Sequence, residues 1–177
     1  MRSISFLLIL ITFFACKESQ KQEQTPSHPT NEIHSNTFSL HSKMTKSDKR
    51  KYFDSNENVL YEVKYKPEGF KLRTSSSELL WKIKLYENKI KISDNEENNN
   101  PFEIKIVNSR EAKLVKNNAE LARLNYNNNQ RLLKLENSST KILNEQNYSP
   151  TLLIDVISII PSDQREIIKQ ELQRKGY

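Results

Sequence analysis

Between residues 59 and 65 of this chain, Val59, Tyr61, Val63 and Tyr65 alternate with Leu60, Glu62 and Lys64. Such period-two alternation marks a strand with one buried face. It returns in GFKLRT (Phe70, Leu72), LLWKIKL (Leu79, Trp81, Ile83, Leu85), NKIKIS (Ile90, Ile92) and FEIKIV (Phe102, Ile104, Ile106). AKLVK, ELARLNY and QRLLKLE are further candidates, and weaker stretches near Phe38, Tyr52 and Ile142 bring the expectation to ten or eleven strands. KPEG, with Pro67 and Gly69, and the Asn-rich breaks around Asn117, Asn128 and Asn137 supply turns. Strands at intervals of about ten residues predict an antiparallel meander that closes into a barrel or stacks as a sandwich.

The pattern changes near the end of the chain. TLLIDVISII, residues 151–160, has Leu, Ile or Val at seven of ten positions, so as a helix it would be apolar nearly all round and require burial on every side. A buried strand is the other reading, since β-branched residues are plentiful. Pro161 interrupts the run, Ser162 is placed to cap a new helix, and REIIKQELQRK then sets Ile167, Ile168 and Leu172 on one stripe. The fold class expected is therefore mainly β with C-terminal helices.

The opposite end reads differently again. Arg2 precedes the apolar run Ile4 to Phe14, broken only by Ser5 and Thr12, and small Ala15 stands before Cys16, the sole cysteine. This arrangement resembles a bacterial lipoprotein signal, with cleavage between Ala15 and Cys16 and lipidation of the Cys16 thiol. Phe13 departs from the leucine usual at the third position before that cysteine. Eleven helical residues extend roughly 16 Å, about half of a bilayer's hydrocarbon core, which suits a signal better than a permanent span. From Lys17 to about Asn36 the chain is rich in Gln, Ser, Glu and Pro, with Ile33 its one large aliphatic residue, so a disordered tether is expected. The organisation expected is a signal peptide over 1–15, a lipidated N-terminus and tether over 16–37, and a single β-rich domain over 38–177.

Short strands in repeated phrases, YFDSNENVLYEVKYKPEGFKLR, SSSELLWKIKLYENKIKIS and NNAELARLNYNNNQRLLKLE, followed by a nearly all-apolar segment, also resemble the tubby-like and LURP-one-like barrel superfamily. That resemblance implies a closed antiparallel barrel around a central apolar helix, here TLLIDVISII. It also implies contact with phospholipid, though no lipid-binding motif transfers residue by residue.

The charge is +6, and loss of residues 1–15 removes only Arg2. A mildly basic mature chain suits anionic headgroups and ordinary soluble domains equally. No nucleic-acid motif appears, and nucleic acid is not expected as a partner. His28, His34 and His41 lie in the tether or at its margin, leaving none from Ser42 to Tyr177. Histidine-dependent triads and imidazole-ligated zinc are thereby excluded from the folded part. Two glycines exclude a glycine-rich phosphate loop or dinucleotide fingerprint. Asp94, Glu96 and Glu97 lack the EF-hand's glycine and glutamate, Asn99 and Lys105 standing in those places, so a solvated hairpin tip is expected. Asp155, alone in its apolar run, calls for helix-end exposure or a lysine partner on a strand.

One constellation remains. Lys64, Lys66, Lys82, Lys84, Lys89, Lys91 and Lys105 fall on neighbouring strands, with Tyr61, Tyr65, Trp81 and Tyr86 interleaved. Cations and aromatics together suit an anionic membrane surface or an acidic glycan; the other reading is a solvent face with its aromatics in the core. The expected function is a membrane-anchored envelope lipoprotein with a non-enzymatic binding domain, held by its N-terminal lipid and meeting an envelope protein or anionic lipid. Neither metal nor cofactor is expected. The alternatives are a phospholipid-contacting tubby-like module and a carboxylate-dependent hydrolase, for which the sequence supplies no convergent pair of acids.

Overall fold

The computed structural model describes residues 40–126 and 148–177, all within one compact unit, Thr37–Tyr177. Nine strands follow in order: β1 (His41–Lys46), β2 (Lys49–Phe53), β3 (Val59–Lys66), β4 (Gly69–Thr74), β5 (Leu79–Tyr86), β6 (Lys89–Ser93), β7 (Phe102–Asn108), β8 (Glu111–Lys116) and β9 (Ala119–Asn125). They form one antiparallel meander in which every strand pairs only with its sequence neighbours. Among the described residues the sheet is open, β1 pairing only with β2 and β9 only with β8. The expectation of a mainly β fold with C-terminal helices holds; the closed barrel and the sandwich are corrected. QRLLKLE and the stretches near Phe38 and Ile142 lie outside the described residues, as do the leader, Ala15, Cys16 and the tether.

The sheet is built from hairpins whose turns recur about every twenty residues, a short internal repeat. Two-residue turns at 47–48, 67–68, 87–88 and 109–110 all fall at the same end. In each, the second turn residue's carbonyl accepts from a backbone N–H of the following hairpin: Tyr65 to Asp48 at 2.8 Å, Leu85 to Glu68 at 2.7 Å, Ile106 to Asn88 at 2.9 Å and Tyr126 to Arg110 at 2.9 Å. At the other end Asn117 and Asn118 both take positive φ, the conformation a tight two-residue hairpin requires and asparagine tolerates. Gly69 has φ +149°, and a Cβ there would meet the Ile83 carbonyl oxygen at 2.0 Å. Only glycine lets β4 lie this close to β5 at that point.

Alternation sorts the side chains as the sequence predicts. Val63, Phe70, Leu72, Ile83, Ile90, Ile92, Ile104, Leu114 and Leu124 are buried on an inner face, and charged residues occupy the outer one. Two C-terminal elements cover the inner face, a task that a closing barrel wall or second sheet would otherwise perform. The first is a 3-10 helix, Pro150–Val156, lying against β7, β8 and β9. Residues 151–160 are thus neither a full α-helix nor a strand, and they do not thread a barrel. The run is short and rich in β-branched residues, and 3-10 geometry is seldom sustained, so the helix stops at Val156, where Ile157 leaves helical angles at φ −80°, ψ 86°. Leu153, Ile154, Ile157 and Ile160 are buried. Asp155 remains exposed, its carboxylate 3.0 Å from Lys169 of the following helix and not from a strand lysine.

The second element, α1 (Ser162–Arg174), buries Gln164, Ile167, Ile168, Glu171 and Leu172, the i, i+3, i+4, i+7, i+8 stripe of an amphipathic helix. Pro161 takes the capping position expected of Ser162. Two stripe positions are polar, and the sheet answers both. Trp81 Nε1–H donates to Gln164 Oε1 at 2.6 Å. The fully buried Glu171 carboxylate accepts from the Tyr52 hydroxyl at 2.6 Å, the Tyr65 hydroxyl at 2.7 Å and Arg174 Nη1 at 2.8 Å. Arg50 Nε donates to the Tyr65 oxygen at 3.1 Å and lies 3.4 Å from Glu171. Tyr61 donates to Asp163 in the helix's first turn.

Burial raises the pKa of all three phenols; Glu171 adds to this at Tyr52 and at Tyr65, where Arg50 works against it, and Asp163 adds at Tyr61. The folded values lie above the unfolded one. Stability from the neutral phenols is therefore fully present below about pH 10 and lost as pH rises toward the folded-state values. Urea midpoints measured at about pH 8 and about pH 11 should fall at the higher pH, and Tyr52→Phe should shrink that fall. An unchanged fall in Tyr52→Phe would remove the buried phenol as its cause.

Candidate functional site

Antiparallel pairing lines up the outward residues of neighbouring strands into rows. One row runs Lys49, Lys64, Lys71, Lys82 and Ser93 across β2 to β6. A second runs Lys66, Gly69, Lys84, Lys91 and Glu103 across β3 to β7. A third runs Tyr86, Lys89, Lys105, Lys113 and Arg123 across β5 to β9. Neighbouring strands are about 4.8 Å apart, so within these rows Lys49, Lys64, Lys71 and Lys82, the pair Lys84 and Lys91, and Lys89, Lys105, Lys113 and Arg123 stand opposite one another at that spacing. Like charges directly opposite one another oppose strand pairing, and here they recur across most of the sheet.

Acids offset part of this repulsion. Glu62 lies 2.7 Å from Lys49, and Glu103 sits between Lys91 at 3.0 Å and Lys105 at 3.3 Å. Burial opposes ionisation of Glu103, but hydrogen bonds from those two lysines outweigh it and hold the carboxyl below its usual range. Arg123 pairs with Glu111 and with Glu120. Lys64, Lys66 and Lys89 have no carboxylate within 4 Å among the described residues. Lys89 and Lys91 instead stand 5.6 and 5.9 Å from the Tyr86 ring centre, within cation–π range.

The surface is not flat. A shallow hollow of about 310 Å³ lies over Gly69, where the outward row lacks a side chain, and Lys66, Lys71, Lys82, Lys84 and Glu68 line it. Beside it the β6–β7 loop folds back across the sheet, with Asp94, Glu96 and Glu97 exposed as expected of a solvated tip. Its Glu96 carboxylate receives Lys71 and, at 2.8 Å, Arg73 Nη2, while Lys82 donates to the Glu96 main-chain oxygen. Led by the hydrogen bond from Lys71, these cations hold the Glu96 carboxyl below its ordinary range. The loop is braced by Ser93 Oγ donating to Asn98 Oδ1 at 2.8 Å and by the Asn99 N–H donating to Asn95 Oδ1 at 2.7 Å.

Of the residues expected to form a basic and aromatic surface, Lys64, Lys82, Lys84, Lys89, Lys91 and Lys105 share this outer face. Trp81 does not. It points inward, 7 % exposed, because its phase in β5 is that of Ile83, and its indole belongs to the helix contact. Tyr61 and Tyr65 are inward for the same reason, leaving Tyr86 as the outward aromatic of that set. Lys71 and Arg73 were missed, although their alternation with Phe70 and Leu72 is the signal that identified Lys82 and Lys84. Glu96 carries no such signal, since a loop's return across the sheet is a tertiary event.

Among the described residues no three His, Cys, Asp or Glu side chains gather as a metal site, and no helix there is long and apolar enough to cross a membrane. No protein-family model, curated protein or solved structure matches the chain. If the lysine rows oppose folding, Lys64→Gln should raise stability by about 0.5 kcal/mol at low salt, and the gain should vanish near 1 M salt. Urea unfolding at the two salt concentrations checks this; a loss of stability at low salt would contradict it.

Proposed function

We propose that this chain is a lipid-anchored envelope protein whose folded part is a non-enzymatic binding module for an anionic partner. The observation that carries the reading is the set of lysine rows on the outer sheet face. Cations set opposite cations work against the fold, and an anionic partner that spans several strands would relieve the repulsion it meets. Lys64 and Lys66, without a carboxylate within 4 Å among the described residues, and Lys89, which meets Glu103 only at longer range, are the groups best placed to gain from such a partner. The hollow over Gly69 supports binding over chemistry: it offers four lysines and a single carboxylate.

The anchor rests on the N-terminal sequence. The leader, Ala15 and the lone Cys16 suit cleavage and acylation, and a short polar tether of about twenty residues has an average reach of roughly 25 Å. Several acyl chains on one residue bind far more firmly than one, each buried CH₂ contributing about 0.8 kcal/mol. Palmitate labelling in bacteria should mark the wild type and not Cys16→Ala; equal labelling would overturn lipidation.

Flotation with vesicles tests the binding face. The chain carrying Cys16→Ala should float with vesicles rich in phosphatidylglycerol at low salt, release at about 0.5 M salt, and ignore phosphatidylcholine. Lys64→Glu together with Lys89→Glu should abolish flotation while leaving the urea midpoint unchanged or higher. Failure to float at low salt would count against an anionic surface as partner.

A further inference from the structure

We propose that Lys71, Arg73 and Lys82 form a phosphoryl-binding subsite of this face and that Glu96 fills it as an internal competitor. The inference rests on the anion-binding reading above and assigns it a specific place and ligand chemistry. The three cationic side chains come from adjacent strands, β4 and β5, and lie largely shielded along the sheet, each no more than 20 % exposed. Arg73 is held in place from behind, its Nη1 donating to the Ser77 carbonyl at 2.6 Å. Against this shielded triad stands a single carboxylate, 44 % exposed.

One carboxylate brings a single negative charge to three cations, and the fit shows that deficit of charge. Lys71 takes Oε2, Arg73 takes Oε1, and Lys82 is left 4.0 Å from the carboxylate, satisfied instead by the Glu96 main-chain oxygen. A terminal phosphoryl group carries three oxygens and up to two negative charges, enough to engage all three cations at once. Lys71 and Lys82 also line the hollow over Gly69, so the remainder of such a ligand has about 310 Å³ of adjoining space flanked by Lys66 and Lys84. Displacing Glu96 disrupts little, because exposed ion pairs are weak and the loop's own bracing among Ser93, Asn95, Asn98 and Asn99 does not depend on the carboxylate.

The test compares full chains, each with Cys16→Ala, by calorimetric titration with inorganic pyrophosphate and by flotation with vesicles containing phosphatidic acid. Glu96→Gln should tighten pyrophosphate binding about fivefold, and adding Lys71→Gln and Lys82→Gln should erase both the gain and the binding. A parallel gain on phosphatidic acid vesicles would identify a lipid headgroup as the source of the phosphoryl group; a gain confined to pyrophosphate would identify a soluble ligand. Vesicle binding by the parent chain with no tightening in Glu96→Gln overturns the subsite and leaves the binding face standing. Binding by neither chain to any probe overturns both. Urea midpoints of the variants, matched to the parent, show that the change lies at the site and not in the fold.

Discussion

A carboxylate with no exposed surface must have its oxygens met by hydrogen-bond donors or its burial is very costly. Glu171 is such a group, and Tyr52, Tyr65, Arg50 and Arg174 surround it. Those partners come from β2, β3 and α1, so the helix has one position over the sheet in which its polar stripe is satisfied. Gln164, one end of the same stripe, meets Trp81 on β5. The apolar neighbours Ile167, Ile168 and Leu172 give the contact its area, and the polar groups give it its register. With α1 and the 3-10 helix so placed, the nine described strands bury the middle of one face, Tyr61, Tyr65 and Leu85 remaining only partly buried. The other face is then free of any duty to the core.

That freedom explains how a basic face can exist at all. Each hairpin hands a turn carbonyl to the backbone of the next, at Asp48, Glu68, Asn88 and Arg110, and this repeated contact keeps successive hairpins in step. Because they are in step, lysines that alternate with core residues in separate strands fall into common rows. Gly69 interrupts one row for a backbone reason, the close approach of Ile83, and the same missing side chain leaves the hollow. Glu96 then lies beside that hollow, on Lys71 and Lys82 that border it and on the adjacent Arg73. A requirement of strand packing and a concentration of charge thus meet at one place on the face.

Much of this was legible in the residues. Alternation in VLYEVKY, GFKLRT and LLWKIKL assigned strands and separated Leu72 and Ile83 from Lys82 and Lys84, because a pleated strand turns successive side chains to opposite faces. The same rule, applied strictly, would have placed Trp81, Tyr61 and Tyr65 inside with their neighbours and added Lys71 and Arg73 to the basic set. An affinity for membrane interfaces made the aromatics look like surface groups, yet a buried phenol or indole needs only a partner, and α1 supplies it. TLLIDVISII was expected to be buried on every side, but only part of it is: Leu153, Ile154, Ile157 and Ile160 are buried while Asp155, Ser158 and Ile159 are exposed. Its shape was not legible, because a short 3-10 helix and the turn after it leave one side of the run uncovered.

Period and composition by themselves determined the β class, the amphipathic stripe of α1 and the charged character of alternate positions, since each follows from local geometry or from counting. Tertiary structure alone decided that the nine described strands form one open sheet, that α1 reads Glu171 against two tyrosines, that separate lysines form rows, and that Glu96 returns to Lys71, Arg73 and Lys82. Each of those depends on residues distant in the chain meeting in one register. A strand's alternation says which side a lysine faces; only the pairing of strands says which charge stands opposite it.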